Sequence, residues 1–440
     1  MNAQVNGRPS GRRAGRTPAA RAAALIALCS LTAACSLFGP EELGVVWDTP
    51  VEDTKGAEKG NGAWLSGDTL VRSRFDAVCG YEASSGKRSW EYVPPGRSAI
   101  CHATADTGGS VVVLVRDAEG ASSSAKGKDC AVAVAIDMKT GGELWQTAAP
   151  ASAPALARAL HPEVSAGSGV AVLVDGHDLR ALDVRTGQPR WKAALPDGCL
   201  PGRTAVAERQ VAALLACGGT KKSSWDEFPS DAELHAAAFD PAGGALLWST
   251  PLGGRTSVPW DARAEFVSAD PVVVAASESG DSDSGAYLSF GGTGRPNPPI
   301  EFSGPYGEIK IHDRLDAAAD GTRLYTVPRR GKSSRTYSYT LTAFDLATGK
   351  RVWDDDLDGD TAYRILPEGE KLTVVTGLDD SPEFGLRVMD AATGKQRESR
   401  GFPEGHVGVD TVFRYKGRFI GARYEGSSSE WKPFTAYELR

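Results

Sequence analysis

One eleven-residue motif recurs along the chain and constrains its fold more than any other feature of the sequence. The motif is a short apolar run, an acidic residue, a Gly four residues later and a Trp four residues after that. The acid and Trp pairs are Glu82 and Trp90, Asp137 and Trp145, Asp183 and Trp191, Asp240 and Trp248, and Asp345 and Trp353. A sixth copy keeps Asp390 but has Glu398 where Trp is expected. Such a repeat marks one structural unit that is built several times.

Each position of the motif has a local physical role. The alternating apolar residues before the acid are typical of a β-strand. The carboxylate can accept hydrogen bonds from turn amides, and Gly supplies the positive φ that a tight hairpin needs. Trp presents a large rigid face to a neighbouring unit. Since two more strand-like runs precede the motif, each unit is expected to be a four-stranded antiparallel sheet.

The spacing of the copies predicts how many units there are. Successive acids lie roughly 50 residues apart, except that the interval from Asp240 to Asp345 is about twice as long. A degenerate copy with Phe290 in place of the acid fills that interval. The last unit is divided between the two ends of the chain, with AYELR at the end and the matching Trp47 strand at the start. We therefore predict an all-β, eight-bladed β-propeller of four-stranded antiparallel blades over residues 43–440, closed by both termini. Coincidental Trp spacing in a pair of β-sandwiches would not keep Gly and Trp in one register.

The copies AIDMKTGGELW and ALDVRTGQPRW resemble the pyrroloquinoline-quinone-like (PQQ-like) propeller repeat, whose consensus is A-x-D-x-x-T-G-x-x-x-W. The resemblance covers essentially the whole chain after its N-terminal segment. The family includes quinoprotein dehydrogenases, the BamB-type lipoprotein of outer-membrane protein assembly, and sensor ectodomains. A lipid-tethered eight-bladed propeller is most similar to the BamB group, which implies a binding module without catalytic activity. A fold by itself does not determine function.

The N-terminal segment predicts export and lipid anchoring. Residues 1–34 contain Arg but no acidic residue, and they end in a short apolar run and small residues before Cys35. This is the plan of a secretory signal, and Ala33-Ala34-Cys35 resembles the cleavage site of bacterial lipoproteins. We expect residues 1–34 to be a lipoprotein signal peptide, Cys35 to carry the lipid (palmitate) and residues 35–42 to be a tether. The protein would then sit at the extracytoplasmic face of the cell membrane. The alternative is an ordinary cleaved signal with an incidental Cys.

The remaining cysteines predict disulfides, because an exported protein meets an oxidising compartment. Cys199 and Cys217 flank two strand-like runs joined by a tight turn at Glu208-Arg209. A two-residue turn there places the two cysteines nearly opposite each other in the hairpin. Cys101 and Cys130 begin the first and third strands of one blade, so their pairing requires the middle strand to end early. Cys79 is then the free thiol, and a Cys79–Cys101 pair is the alternative.

Few residues offer catalytic or metal-binding chemistry. Asp354, Asp356 and Asp358, followed by Gly359, resemble the start of a Ca²⁺ loop, but Ile365 stands where the bidentate Glu belongs. The alternative is a solvated acidic loop. No vicinal Cys pair of the quinoprotein type is present, and no hydrolase, nucleotide or zinc motif occurs. We therefore expect no catalytic residues, no metal and no cofactor.

The predicted function follows from these points. A net charge of −7 argues against binding nucleic acid through bulk charge. The sequence favours a monomeric, non-catalytic lipoprotein whose propeller binds or scaffolds an envelope protein or peptide, with the membrane reached through the lipid on Cys35. A PQQ-dependent quinoprotein dehydrogenase and a sensor of a small ligand are the alternatives.

Overall fold

Strand pairing dominates the part of the chain that the structure describes. The computed structural model describes residues 42–52, 60–105, 109–119, 130–149, 164–175, 177–219, 231–253, 263–277, 284–310, 317–331, 337–377, 384–403, 409–424 and 432–438. These residues form 35 strands and one 3₁₀ turn, Pro95–Arg97. They contain no helix with the length and apolar character to cross a membrane. The predicted signal peptide (1–34) and Cys35 lie outside the described residues.

Seven sheets are four-stranded antiparallel blades, and three of them come first in the chain. Blade 1 contains β2 (Gly62–Ser66), β3 (Thr69–Ser73), β4 (Val78–Glu82) and β5 (Arg88–Tyr92). Blade 2 contains β6 (Ile100–Ala105), β7 (Val111–Arg116), β8 (Val132–Asp137) and β9 (Glu143–Ala148). Blade 3 contains β10 (Ser165–Gly167), β11 (Val170–Asp175), β12 (Asp178–Asp183) and β13 (Pro189–Lys192).

Four more blades have the same strand order. Blade 4 contains β14 (Cys199–Val206), β15 (Val211–Cys217), β16 (Glu233–Phe239) and β17 (Leu246–Pro251). Blade 5 contains β18 (Arg263–Ala269), β19 (Val272–Ser277), β20 (Gly285–Phe290) and β21 (Ile300–Glu301). Blade 6 contains β29 (Thr361–Glu368), β30 (Lys371–Gly377), β31 (Phe384–Asp390) and β32 (Gln396–Gly401). Blade 7 contains β33 (Thr411–Tyr415), β34 (Arg418–Ala422), β35 (Phe434–Glu438) and, from the start of the chain, β1 (Gly44–Asp48).

The first and last described strands lie side by side. β1 pairs antiparallel with β35, with Gly44 opposite Glu438 and Asp48 opposite Thr435. A bulge between Val45 and Trp47 shifts the register within this pair. The two ends of the described chain therefore share one sheet.

The prediction of eight four-stranded blades needs correction, because seven sheets have this form and the remaining sheet has seven strands. Its strands are β22 (Ser303–Gly304), β23 (Gly307–Glu308), β24 (Ala317–Ala319), β25 (Arg323–Thr326), β26 (Arg329–Arg330), β27 (Ser338–Asp345) and β28 (Arg351–Asp356). β27 is eight residues long. Its second half pairs with β25 and its first half with β26, so the long strand recruits the additional β22–β23 hairpin through β26.

The core lies between sheets rather than within one of them. Between blades 3 and 4, for example, Val170 and Trp191 pack with Val211 and Phe239. Another cluster joins Leu70 of blade 1 to Phe434 of blade 7. Since burial of apolar area is the main driving force for folding, each sheet depends on its neighbours for stability.

The motif Trp makes these contacts specific, as its sequence role predicts. The Trp145 ring lies so close to Gly187 in the next blade that a Cβ there would be 2.7 Å from Trp145 Cγ. The Trp145 Nε1–H also donates to the carbonyl of Val184, at 2.9 Å. The same packing joins Trp47 to Gly86, Trp90 to Gly141, Trp191 to Gly244, Trp248 to Gly294, and Trp353 to Gly394. β21 carries no Trp, and the carbonyls of Pro298 and Pro299 face Gly349 instead.

Candidate binding cleft at the motif turns

The motif turns lie at one end of the blades. In a four-stranded antiparallel meander, the first and third turns are at the same end and the second turn is at the opposite end. The turns β2–β3, β6–β7 and β10–β11 therefore share an end with the motif turns between third and fourth strands. We call this end the motif face.

The carboxylates of the motif acids accept hydrogen bonds from residues of their own turns. One carboxylate oxygen of Asp137 accepts hydrogen bonds from the backbone N–H of Lys139 (3.1 Å) and of Thr140 (2.9 Å). The hydroxyl of Thr140 donates to the same oxygen, at 3.0 Å. Equivalent bonds reach Asp183, Asp345 and Asp390 from the Thr three residues on, and Asp240 accepts from the N–H of Gly243. These acids stabilise hairpins, which is the role that the sequence predicts.

The residue seven positions after the acid differs between blades. In blade 3 it is Arg190, whose guanidinium binds Asp183, with Nε 3.2 Å from Oδ2. In blade 6 it is Arg397, which binds Asp390. In both blades this Arg is the main cause that lowers the pKa of the carboxyl to about 2. At the same position, blades 2 and 4 and the seven-stranded sheet expose apolar side chains: Leu144, Leu247 and Val352.

A cleft of about 420 Å³ opens on the motif face where blades 1, 2 and 3 meet. Its lining comes from turns of all three blades: Ser66, Gly109, Ser110, Gly169, Asp183, Val184, Arg185 and Arg190. The hydroxyl of Ser66 donates to the carbonyl of Gly109, at 2.9 Å, and so links blades 1 and 2. The cleft is open to solvent, polar and apolar atoms share its lining, and two Arg side chains stand in its wall.

Arg185 is the central cation of this cleft. Its Nη1 donates to the hydroxyl of Ser110 at 2.8 Å, and its Nη2 lies 3.6 Å from a carboxylate oxygen of Asp137. The side chain is nevertheless 58% exposed. A guanidinium has five N–H donors in a fixed plane that suits carboxylate and carbonyl acceptors. Arg185 can therefore offer further hydrogen bonds to an acceptor-rich group that enters the cleft.

The electrostatics of the cleft suit binding better than proton transfer. A general acid or base works best with a pKa near the working pH. Asp183 is shifted in the opposite direction, because the Arg190 guanidinium and the turn amides hold its pKa at about 2. The carboxyl therefore stays ionised at neutral pH and serves as a fixed charge.

A second cluster of charges is buried in blade 1. Glu52, in the segment that leaves blade 7, contacts the guanidinium of the fully buried Arg72 and the hydroxyl of Tyr81. Cys79 in the same blade is buried and is the free cysteine of the described chain. Burial, reinforced by Glu52 and Glu91, raises the pKa of the Cys79 thiol to about 12. The thiol is therefore unreactive at neutral pH, and this cluster is a structural element.

The structure brings together both predicted cysteine pairs. Cys199 lies directly opposite Cys217, and the two form a disulfide with an S–S distance of 2.01 Å. The bulge between Pro201 and Thr204 supplies the one-residue shift between this pairing and the tight turn. Cys101 and Cys130 form the second disulfide. The middle strand of their blade ends at Arg116, opposite Val132, so it stops before the level of Cys130.

The acidic run in the seven-stranded sheet does not assemble a calcium site. Within the described residues, the carboxylates of Asp354, Asp356 and Asp358 do not converge on one point. Asp354 pairs with Arg351 at 2.9 Å, and Asp356 accepts a hydrogen bond from the N–H of Asp358. The guanidinium of Arg387 lies 3.8 Å from Asp358, so a side-chain cation already stands near the run. Asp354 and Asp356 belong to β28, whereas the sequence pattern predicts a loop for the whole acidic run.

Sequence reasoning missed the cleft, although a signal for it was present. The turn does not fix the side chains two and seven residues after the motif acid, which vary between copies. Both are basic in the blade 3 copy, as Arg185 and Arg190, and in no other copy of the motif.

The fold and its repeated turns define a class of protein, the β-propeller built from PQQ-like blades. The family model described as outer membrane protein assembly factor BamB matches residues 37–221, 122–296 and 232–400. The chain belongs to this family. A comparison with curated proteins gives no significant match.

Solved structures share the fold at low sequence identity. BamB from Moraxella catarrhalis is 15% identical with a TM-score of 0.50, covering 90% of this chain and 100% of that one. The computationally designed Ika8 protein is 13% identical with a TM-score of 0.54, covering 90% and 99%. The quinohemoprotein alcohol dehydrogenase from Comamonas testosteroni is 14% identical with a TM-score of 0.51, covering 90% and 76%. At these identities the likeness extends to the fold alone.

Proposed function

We propose that the protein is a non-catalytic, extracytoplasmic lipoprotein whose propeller binds a protein partner of the cell envelope. The observation that carries this proposal is the open cleft on the motif face, with the half-exposed Arg185 in its wall. An extended segment of a partner can lay carboxylates or backbone carbonyls along such a surface. Family membership supports the proposal, since the matching family model is named for a protein assembly factor.

The proposed architecture is a ring of eight blades closed by both termini. The seven-stranded sheet counts as the eighth blade because β24, β25, β27 and β28 keep the four-strand order of the others. The β1–β35 pairing and the apolar cluster between blades 1 and 7 support closure. A closed ring leaves the hairpin turns on a rigid frame, and rigid frames suit binding surfaces.

The proposed anchor is the lipid on Cys35, which would hold the protein at the membrane. Replacing Cys35 with Ser is expected to release the protein from the membrane fraction and to abolish palmitate labelling. A Cys35→Ser protein that stays membrane-bound and labelled would contradict the lipid anchor. That result would not bear on the proposed partner binding.

The binding proposal is tested by site-specific photo-crosslinking in intact cells. A photo-crosslinkable amino acid replaces Gln188, which is exposed in the same turn as Arg185 and Arg190. The matched control replaces Lys350, which holds the same position in the motif turn of the seven-stranded sheet. We expect a discrete crosslinked species from position 188 and none from position 350. Arg185→Glu should reduce the yield of that species.

Two outcomes would count against the proposal. One is the absence of a crosslinked species at position 188, or the same species at both positions. The other is oxidation of a substrate after reconstitution with PQQ and Ca²⁺, measured in a dye-linked assay. We expect no turnover above background in that assay. Turnover would favour the quinoprotein dehydrogenase alternative.

A further inference from the structure

Three potential metal ligands meet at one end of blade 2. Cys101 comes from β6, Asp117 directly follows β7, and Cys130 precedes β8. The two sulfurs are bonded to each other in the disulfide, and a carboxylate oxygen of Asp117 lies within 4.8 Å of both. Asp117 directly follows Arg116, the last residue of β7, and its carboxylate lies beside the disulfide. No other group of three such ligands forms among the residues that the structure describes.

The distance from the Cys101 sulfur to the Asp117 carboxylate matches the distance between two ligands of a tetrahedral zinc ion, and reduction lets the two bonded sulfurs separate. With a Zn–S distance of about 2.3 Å and a Zn–O distance of about 2.0 Å, a tetrahedral ion holds its S and O ligands about 3.5 Å apart. The Sγ of Cys101 lies 3.6 Å from Oδ1 of Asp117. The backbone also fixes Asp117, whose N–H donates to the carbonyl of Ala99 at 2.9 Å. Asp117 is fully buried, so its carboxylate is held in place by the sheet end.

We propose that the Cys101–Cys130 disulfide masks a three-ligand site for a zinc-type divalent cation, and that reduction opens it. A dithiol reductant exchanges with the disulfide, so that the reductant becomes a disulfide and Cys101 and Cys130 become thiols. The cation then binds both sulfurs as thiolates, which releases two protons. The carboxylate of Asp117 is the third ligand and a water molecule the fourth. Thiolate ligands together with a carboxylate favour Zn²⁺ over Ca²⁺ or Mg²⁺.

The second disulfide is an internal control for this site. Cys199 and Cys217 face each other directly in the β14–β15 ladder. No carboxylate or imidazole joins them in a three-ligand group within the described chain. Reduction of this pair yields two thiols in the same protein without the third ligand. The proposal is independent of the proposed binding function, because the cleft lies on different residues.

The experiment uses Co²⁺ as a spectroscopic stand-in for Zn²⁺. The full chain carrying Cys199→Ser and Cys217→Ser is reduced with a phosphine and titrated with Co²⁺ under anaerobic conditions. We expect thiolate-to-cobalt charge transfer and the intense visible bands of tetrahedral Co²⁺, both lost on addition of Zn²⁺. The reciprocal chain, carrying Cys101→Ser and Cys130→Ser, should show neither band. Cys79 is present in both chains, so its thiol cannot produce the difference.

Asp117→Asn tests the third ligand. The amide keeps the shape of the side chain but removes its charge, and we expect the affinity for Co²⁺ to fall at least roughly tenfold. Equal Co²⁺ affinity with and without Asp117→Asn would overturn the proposal. Equal cobalt spectra from the two cysteine-pair variants would also overturn it. If reduction or Asp117→Asn unfolds the protein by circular dichroism, Zn²⁺ must restore the folded spectrum of the reduced parent chain. Failure to restore it would also overturn the proposal.

Discussion

Replacing Gly394 with Ala is the sharpest test of how neighbouring blades are held together. Gly394 has a φ of +71°, and a Cβ there would lie 2.5 Å from Cε3 of Trp353. Carbon atoms in contact are normally about 3.5 to 4 Å apart, so the indole ring must move by about 1 Å. The ring is buried, and its Nε1–H donates to the carbonyl of Ala391 at 3.1 Å. Neither the ring nor that hydrogen bond can accommodate such a shift without loss.

The magnitude of the effect can be worked from these contacts. A positive φ costs a non-Gly residue about 1 to 2 kcal/mol. Overpacking against a buried ring costs about 1 to 3 kcal/mol, and weakening the indole hydrogen bond about 1 kcal/mol. We expect Gly394→Ala to lower the free energy of unfolding by about 3 to 6 kcal/mol. Urea unfolding followed by Trp fluorescence and circular dichroism measures this loss.

Gly369→Ala is the matched control. Gly369 lies in the same blade, has a φ of +61° and has no atom within 4 Å of its ideal Cβ position. Its substitution should cost only the backbone contribution of about 1 to 2 kcal/mol. In a Trp353→Ala background, Gly394→Ala should fall to that smaller cost, because the clash is gone. Equal losses for the two glycines in the parent chain would refute the reasoning.

Three further predictions concern the Arg190–Asp183 ion pair, the pairing of the two chain ends and the Cys199–Cys217 disulfide. Arg190→Leu should remove the cause that lowers the pKa of Asp183. Stability from this pair is fully present above about pH 4, the ordinary carboxyl range, and is lost as the pH falls towards about 2. The stability difference between parent and variant in urea unfolding should therefore shrink over that window, and a difference independent of pH would contradict the pairing. Deleting residues 434–440 removes β35 and exposes the edge of a neighbouring strand. We expect aggregation by light scattering and a lower Tm in thermal unfolding. An unchanged melting curve would contradict closure by the two chain ends. Replacing Cys199 and Cys217 with Ser should lower the free energy of unfolding in urea by about 3 kcal/mol, the loop entropy of an 18-residue separation. Thiol labelling of the folded parent protein at Cys199 would contradict the disulfide.

Much of the fold could be predicted because the motif combines local and long-range information. The acid and Gly determine a hairpin through local turn chemistry, and the structure shows these bonds at Asp137 and its equivalents. Trp must pack against something outside its own sheet, so its repetition predicts stacked units. The Cys199–Cys217 register could be derived because antiparallel pairing obeys a simple index rule.

The seven-stranded sheet could not be predicted in the same way. Its additional strands β22, β23 and β26 are two residues long, so no hydrophobic period can identify them. They form because β27 extends beyond β25 and offers unpaired backbone groups to β26. The acidic run after Trp353 left a calcium loop and a solvated acidic loop as alternatives for a related reason. Sequence spacing alone cannot show that β28 continues through Asp356.

The candidate cleft shows where functional information resides in a repeat protein of this kind. Positions that build the scaffold recur in most blades, so they carry little information about a partner. The side chains two and seven residues after the acid vary between copies, and only the blade 3 copy has Arg at both positions. Arg190 neutralises the turn acid Asp183, which leaves Arg185 as the more exposed guanidinium at a three-blade junction. A departure from the repeat at these variable positions is therefore the sequence feature on which the proposed binding surface rests.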